Sequence, residues 1–311
     1  MRLTTRYLGL ELAHPFMPGA SPMSDSLDVV KQLEDAGASA IVMRSLFEEQ
    51  ILHERYGPSG FVSGPDGYLE QLRRIKACVS VPVIASINGT TTEGWLKYAR
   101  LLQRAQADAV ELNFYHLATD PAESGAAVEA RLLDIVAVLK ESITIPLAVK
   151  LSPFYSSLPN LAARLDTIGA QGLVLFNRFY QADIDPDELI TPPDLHLSTS
   201  DELLLRLRWL AILSGSYRGS LAVTGGVHQA IDAVKAVLAG ANAVQMVSCL
   251  LQNGVQRLKD VREGFERWGE EHGFDSIDDL RRAMNGPEHP RTHAFERQQY
   301  LRVLQSWRRA G

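Results

Sequence analysis

Lys150 follows a short apolar run, Leu147–Val149, so a cation stands at the end of a segment that reads as a buried strand. Three amides take similar positions: Asn88 after Val83–Ile87, Asn113 after Ala109–Leu112, and Asn177 after Gly172–Phe176. Arg44 and Ser45 follow Ala40–Met43, and Ala20 and Ser21 close Pro15–Ala20. Thr224-Gly225-Gly226 turns the chain after Leu221–Val223, and Ser248 ends Ala243–Val247. Amides plus one lysine offer donors and acceptors suited to a planar heterocycle with carbonyls and ring nitrogens. A glycine turn with bare N–H groups suits a phosphate. The plainer readings are that Asn88 and Asn177 cap turns and that Gly225-Gly226 is only a tight bend.

These residues act together only if one fold gathers the strand ends. The eight apolar runs recur with helical stretches between them, over Ser24–Ala36, Tyr68–Val79, from Thr92 or Glu93, Ser124–Ser142, Pro159–Gly169, Asp201–Ser214, around Ile231–Leu238, and Gly254–His272. Alternation of this kind predicts an α/β fold, a (β/α)8 TIM barrel, whose chemistry collects at the strand C-termini. The stretch from Gln181 to Ser200 carries three prolines and is too long for a simple connection, as functional loops often are. No linker divides the chain, so a single domain over residues 1–311 is expected, with 276–311 a C-terminal helical extension.

Composition narrows the function. The chain has 311 residues and a net charge of −6, with no basic run longer than two or three residues, which argues against nucleic acid and an anionic membrane surface. Its two cysteines, Cys78 and Cys249, are too few for an iron–sulfur cluster and have no metal-like spacing; no metal is expected. The amino-terminal segment has no apolar signal-peptide core and no run approaches a membrane span, so the expected location is the cytoplasm. The strand-end amides, the lysine and the phosphate-type turn together point to flavin mononucleotide, FMN.

The motifs PFMPGAS, IVMRS, SINGTT, ELNF, AVKLSP, LFNR, VTGGV and VQMVS stand in an order and spacing that resemble the dihydroorotate dehydrogenases, most of all the soluble class 1 enzymes. AVKLSP and TGGV are the specific pieces, and the similarity covers nearly all of the expected barrel. The resemblance implies that Lys150, Asn88, Asn113, Asn177 and the backbone around Gly225, Gly226, Val247 and Ser248 hold FMN. It implies that Ala20 and Ser21 lie along the isoalloxazine, and that Ser198-Thr199 stands where the family has a glycine pair near the phosphate. It further implies an oxidoreductase of pyrimidine metabolism that acts on a CH–CH bond, with a homodimer among the assemblies open to it.

The departures from the family pattern bear on catalysis. Three residues after the strand-four asparagine the family has a cysteine base; here that place is His116, and a following substrate-binding asparagine is Ala118. Arg44 replaces a lysine, and Glu54–Gly67 lacks an asparagine-rich substrate loop. An imidazole can carry a proton near neutral pH, which makes His116 the expected acid/base, with Tyr115 a second candidate. Arg44 would anchor an anionic or carbonyl-bearing substrate by bidentate hydrogen bonds. The expected catalytic set is therefore His116, Arg44 and Lys150, acting on a small planar carbonyl-bearing substrate. Electrons would pass to a soluble oxidant or an acceptor protein. Two other readings stay open: a flavin-binding partner or regulatory protein without turnover, and a flavin-free sugar-phosphate barrel enzyme.

Overall fold

A computed structural model describes residues 1–52, 64–91, 95–178, 181–285 and 293–306. A hairpin comes first, β1 (Thr5–Tyr7) and β2 (Leu10–Leu12), ahead of the eight expected strands. Eight parallel strands follow: β3 (Phe16–Pro18), β4 (Ile41–Phe47), β5 (Val83–Asn88), β6 (Ala109–Asn113), β7 (Leu147–Leu151), β8 (Gly172–Leu175), β9 (Ser220–Thr224) and β10 (Ala243–Met246). From β4 to β10 each strand pairs with the next in chain order, and β10 also pairs with β3, which leaves β3 and β4 as the two edges. Phe16 and Ser39, just before β4, close the remaining seam: the Ser39 N–H and hydroxyl both donate to the Phe16 carbonyl, at 3.0 and 2.8 Å. The nearly closed (β/α)8 barrel is the architecture the strand periodicity predicts.

The helices are α1 (Leu27–Asp35), α2 (Glu48–Leu52), α3 (Pro65–Cys78), α4 (Trp95–Arg104), α5 (Gly125–Ser142), α6 (Leu158–Ile168), α7 (Leu203–Leu213), α8 (Ala230–Leu238), α9 (Ser248–Asn253), α10 (Arg257–Glu271), α11 (Ile277–Asn285) and α12 (His293–Gln305). α3 starts earlier than its apolar pattern suggests, because Pro65 presets the first helical turn. The expected helix start at Thr92 or Glu93, and most of the Glu54–Gly67 loop, lie outside the described residues. None of the helices is long and apolar enough to cross a membrane, among the described residues.

Period-two alternation sorts the strand side chains into two cores. Outward residues such as Val83, Ile87, Val110, Leu112, Val149, Leu173 and Val223 pack beneath the helices. Inward residues at the amino-terminal end of the barrel, among them Met17, Val42, Ile84, Ala109, Ala148, Val174, Ala222 and Ala243, form a second cluster. Small alanines there leave space on the axis. The hairpin fills it with Tyr7, Leu8 and Leu12, all buried.

Candidate active site

Moving up the barrel interior, the side chains change character. Glu111 and Gln245 are fully buried at its centre, and Ser86, Ser45 and Lys150 are buried with them. Glu111 lies two residues before Asn113 on β6, so both face inward, one above the other. Gln245 Nε2 donates to Glu111 Oε2 at 2.6 Å, and the Lys150 ammonium lies 3.7 Å from Glu111 Oε1. Tyr7 points up from the hairpin with its hydroxyl buried; burial first, then the charge of Glu111, pushes that phenol well above its ordinary value of 10.0.

Strand register settles the upper tier. Asn88 pairs with Asn113, and Asn113 with Lys150, so three expected cofactor residues stand side by side on β5, β6 and β7. Asn113 Oδ1 is buried without a hydrogen-bond partner, and the Lys150 ammonium has no hydrogen-bond acceptor among the described residues. A buried acceptor without a donor is costly, and a nearby cation without an acceptor complements it. Asn177 is different: its Nδ2 donates to the carbonyls of Phe114 and Lys150, both at 3.3 Å. Its amide hydrogens thus tie the loop after β6 to β7, which leaves only its oxygen for a ligand.

Gly225 and Gly226 both adopt positive φ, +81° and +82°. A side chain on Gly226 would sit 2.6 Å from the Leu203 backbone nitrogen, and one on Gly225 would meet the Arg206 guanidinium. Packing against α7 therefore accounts for this glycine pair independently of any phosphate. The same turn also assembles polar groups. The Gly226 N–H donates to Ser198 Oγ at 3.3 Å, the Ser198 N–H donates to Ser248 Oγ at 3.1 Å, and His228 Nε2 lies 3.4 Å from Ser198 Oγ. Ser198 and Ser248 thus meet across a long sequence gap. Thr199 precedes a short 3-10 turn, exposed, and its side chain makes no cap. His228, one residue past the VTGGV motif, was assigned no role from sequence; its adjacency to the glycine turn was the available signal.

On the other side of the mouth, the Gly19 N–H bonds the Met246 carbonyl, and a side chain at Gly19 would press on Val247 at 2.9 Å. That close approach sets Ala20 over the inner cluster and buries Ser21, whose carbonyl accepts from Ser24. Arg44 is engaged within the fold: it contacts Asp25 Oδ2 at 2.5 Å, and its N–H donates to Ser24 Oγ at 2.8 Å. A substrate carboxylate would have to compete with Asp25.

His116 is held from behind. Its Nε2 lies 2.9 Å from Glu123 Oε2 and 3.3 Å from Arg131 NH1, and Arg131 also pairs with Glu123. The hydrogen bond from His116, followed by those from Arg131, holds the Glu123 carboxyl below its ordinary value of 4.5. The link is therefore complete above that value and is lost as pH falls through the lowered one. Assigning Nε2–H as the donor to Glu123 leaves Nδ1 as the basic atom. A carboxylate that orients an imidazole is the usual support of an acid/base histidine. Beside His116 opens a cleft of about 390 Å³ lined by Leu117, Ala118, Val128, Phe154 and Tyr155. Tyr115 is partly buried on the same loop. A cleft of about 450 Å³ opens at the opposite end of the strands, but its Arg281 and Arg282 pair with Asp278 and Asp279.

Among the described residues no group of three or more His, Cys, Asp or Glu could hold a metal ion. No protein-family model matches the chain. It is 32% identical over 208 residues to a putative dihydroorotate dehydrogenase A (fumarate) of Aeropyrum pernix, covering 65% of this chain and 67% of that protein. Identity is 26% to a dihydroorotate dehydrogenase B (NAD(+)) catalytic subunit of Thermoplasma acidophilum, over 89% of this chain and 97% of that one. It is 23% to the NAD-dependent dihydropyrimidine dehydrogenase subunit PreA of Escherichia coli, over 89% and 75%.

Proposed function

The chain belongs to the dihydroorotate dehydrogenase family of oxidoreductases, and on that premise we propose that it binds FMN at the barrel mouth and oxidises a CH–CH bond beside a carbonyl. The observation that carries this reading is the row Asn88–Asn113–Lys150, where a buried amide oxygen and an ammonium lack hydrogen-bond partners among the described residues at one level of the barrel. Those groups match the ring N–H and carbonyl edge of an isoalloxazine. Ala20 and Ser21 border the ring, and Gly225, Gly226, Ser198, Thr199, Val247 and Ser248 lie toward the phosphate, with His228 beside them. When bound, FMN supplies two-electron acceptance. The chain's own residues do the rest. Lys150 and Asn113 fix the ring edge, Asn177 pins the loop after β6, and Glu123 orients His116 so that Nδ1 takes the proton from the substrate carbon.

Arg44 is neutralised by Asp25, and the cleft by His116 is lined by Leu117, Ala118 and Phe154 together with the Glu129 carboxylate, a setting that favours an uncharged reduced ring over a carboxylated one. A reduced pyrimidine without a carboxylate is the substrate class we assign, and the acceptor is a soluble oxidant or a partner subunit. The test is an absorption spectrum of purified protein, then anaerobic addition of dihydrouracil and, separately, dihydroorotate. Bleaching of a flavin band by dihydrouracil is the expected result. Bleaching by dihydroorotate alone would keep the reaction and reverse the substrate preference. A flavin band that neither compound bleaches would favour a flavin-binding subunit without turnover. Absence of flavin binding would overturn the proposal.

A further inference from the structure

Glu111 is the residue the proposed chemistry leaves unexplained. It has no exposed surface, sits inside the barrel, and keeps one carboxylate oxygen without a hydrogen bond. An isolated charge in such a place costs several kcal/mol in real proteins, so its surroundings must answer for it. Gln245 Nε2 satisfies one oxygen at 2.6 Å. The other, Oε1, faces the Lys150 ammonium at 3.7 Å, beyond hydrogen-bond range and well within range of charge attraction. Among the described residues, Asn113 and Val174 flank Lys150 in register on β6 and β8, Asn88 follows on β5, and two buried phenols, Tyr7 and Tyr68, feel the charge of Glu111 and are pushed up, first by burial and then in part by that charge.

We infer that Glu111, itself held by Gln245, is the positioning residue for Lys150: it fixes the ammonium as a cation at the barrel mouth without using its hydrogen-bond donors. The separation is what makes this work. A contact ion pair at hydrogen-bond distance would direct one N–H down the barrel axis. At 3.7 Å the carboxylate compensates the charge and leaves the donors for a ligand above. The inference rests on the FMN reading for the identity of that ligand, but not for the coupling of the two residues.

Two measurements test it. The first is the FMN dissociation constant, by flavin fluorescence, from pH 6.5 to 9. With Glu111 in place affinity is expected to be flat. In E111Q the Gln245 hydrogen bond can persist but the compensating charge is gone. Burial then disfavours the uncompensated charge, and affinity should fall by about tenfold or more between the two ends of that pH range. E111D, which retains the charge, should restore most of the flat profile, whereas a purely structural role would not discriminate charge in this way. The second measurement uses no flavin: acetic anhydride labelling of cofactor-free protein at pH 8, quantified at Lys150 by peptide mass spectrometry. Lys150 should label several-fold faster in E111Q than in wild type, with Lys140 and Lys259 unchanged as internal references.

Faster labelling in a protein that binds no FMN would uphold the Glu111–Lys150 coupling and reject the flavin reading. Unchanged labelling together with a flat affinity profile in E111Q would overturn the inference, whatever the cofactor. If E111Q is too unstable to purify, the double variant E111Q/K150M decides. Recovery of folding in the double points to an uncompensated ammonium as the cause, and a double no more stable than E111Q would overturn the inference.

Discussion

The two ends of the barrel interior are built from the same eight strands and obey opposite rules. At the amino-terminal end, Tyr7, Leu8 and Leu12 of the hairpin press into a ring of Met17, Val42, Ile84 and small alanines, and apolar surface meets apolar surface. Toward the mouth, Glu111, Gln245, Lys150 and Asn113 stack charge and amide, and buried polar atoms lack partners. Four of the five buried side-chain atoms without a partner among the described residues belong to this column: Tyr7 Oη, Glu111 Oε1, Asn113 Oδ1 and Gln245 Oε1. Native proteins keep such atoms rare, so their concentration here marks the end of the barrel where stability has been exchanged for binding. In a (β/α)8 fold that division is expected, because strand C-termini carry the site and the opposite face carries stability.

The comparison can be broken by substitution, starting with the largest expected effect. Leu12→Ala, under the plug, should lower unfolding free energy by about 3 kcal/mol in a denaturant titration and leave FMN affinity within a factor of two or so. A large loss of affinity would show that the two ends are not separable. His14, at the foot of β3, gives nearly as large an effect through pH. Burial, then the charge of Arg262, lowers its pKa to about 4 from 6.5, and its Nδ1 accepts the Phe16 N–H at 3.2 Å. Because the folded state binds the proton less well, its contribution is complete above 6.5 and is lost as pH falls toward 4. The loss is of order 3 kcal/mol. Stability of His14→Asn measured across that window should therefore fall less steeply than that of the wild type.

At the mouth, the effects should appear in function. His116→Ala should slow substrate-driven bleaching of the flavin about a hundredfold, with the thermal midpoint little changed; an unchanged rate would remove His116 from the mechanism and turn attention to Tyr115. Asn113→Ala should weaken FMN binding about tenfold, the scale of one hydrogen bond, and should cost less than about 1 kcal/mol of stability, because its oxygen has no hydrogen-bond partner to lose among the described residues. A strongly destabilised Asn113→Ala would mean that the polar tier also carries the fold.

How much of this was legible varied with the range of the interaction. AVKLSP placed Lys150 at a strand end, and the strand runs placed Asn88 and Asn113 at others, because a period of two and a glycine or proline boundary are local properties. Reading only the last residue of each strand passed over Glu111, although ELN puts Glu111 and Asn113 on one face. The hairpin was missed for a related reason: Thr5–Leu12 is too short to show a pattern, and its role as a plug is defined by the ring it enters. Arg44 read as a free substrate anchor because Asp25, its partner, lies on another element.

The sequence by itself determined that strands and helices alternate eight times, where most of the strands end, and that a glycine pair turns the chain after β9; β4 instead runs on through Arg44 and Ser45 to Phe47. These follow from side-chain periodicity and backbone sterics, which each stretch expresses wherever it lies. Only the tertiary structure decided that Asn88, Asn113 and Lys150 share one level, that Ser198 reaches Ser248, and that Glu111 sits beneath an ammonium instead of facing water. Those facts depend on strand register and barrel closure, which are set by the packing of all eight strands at once.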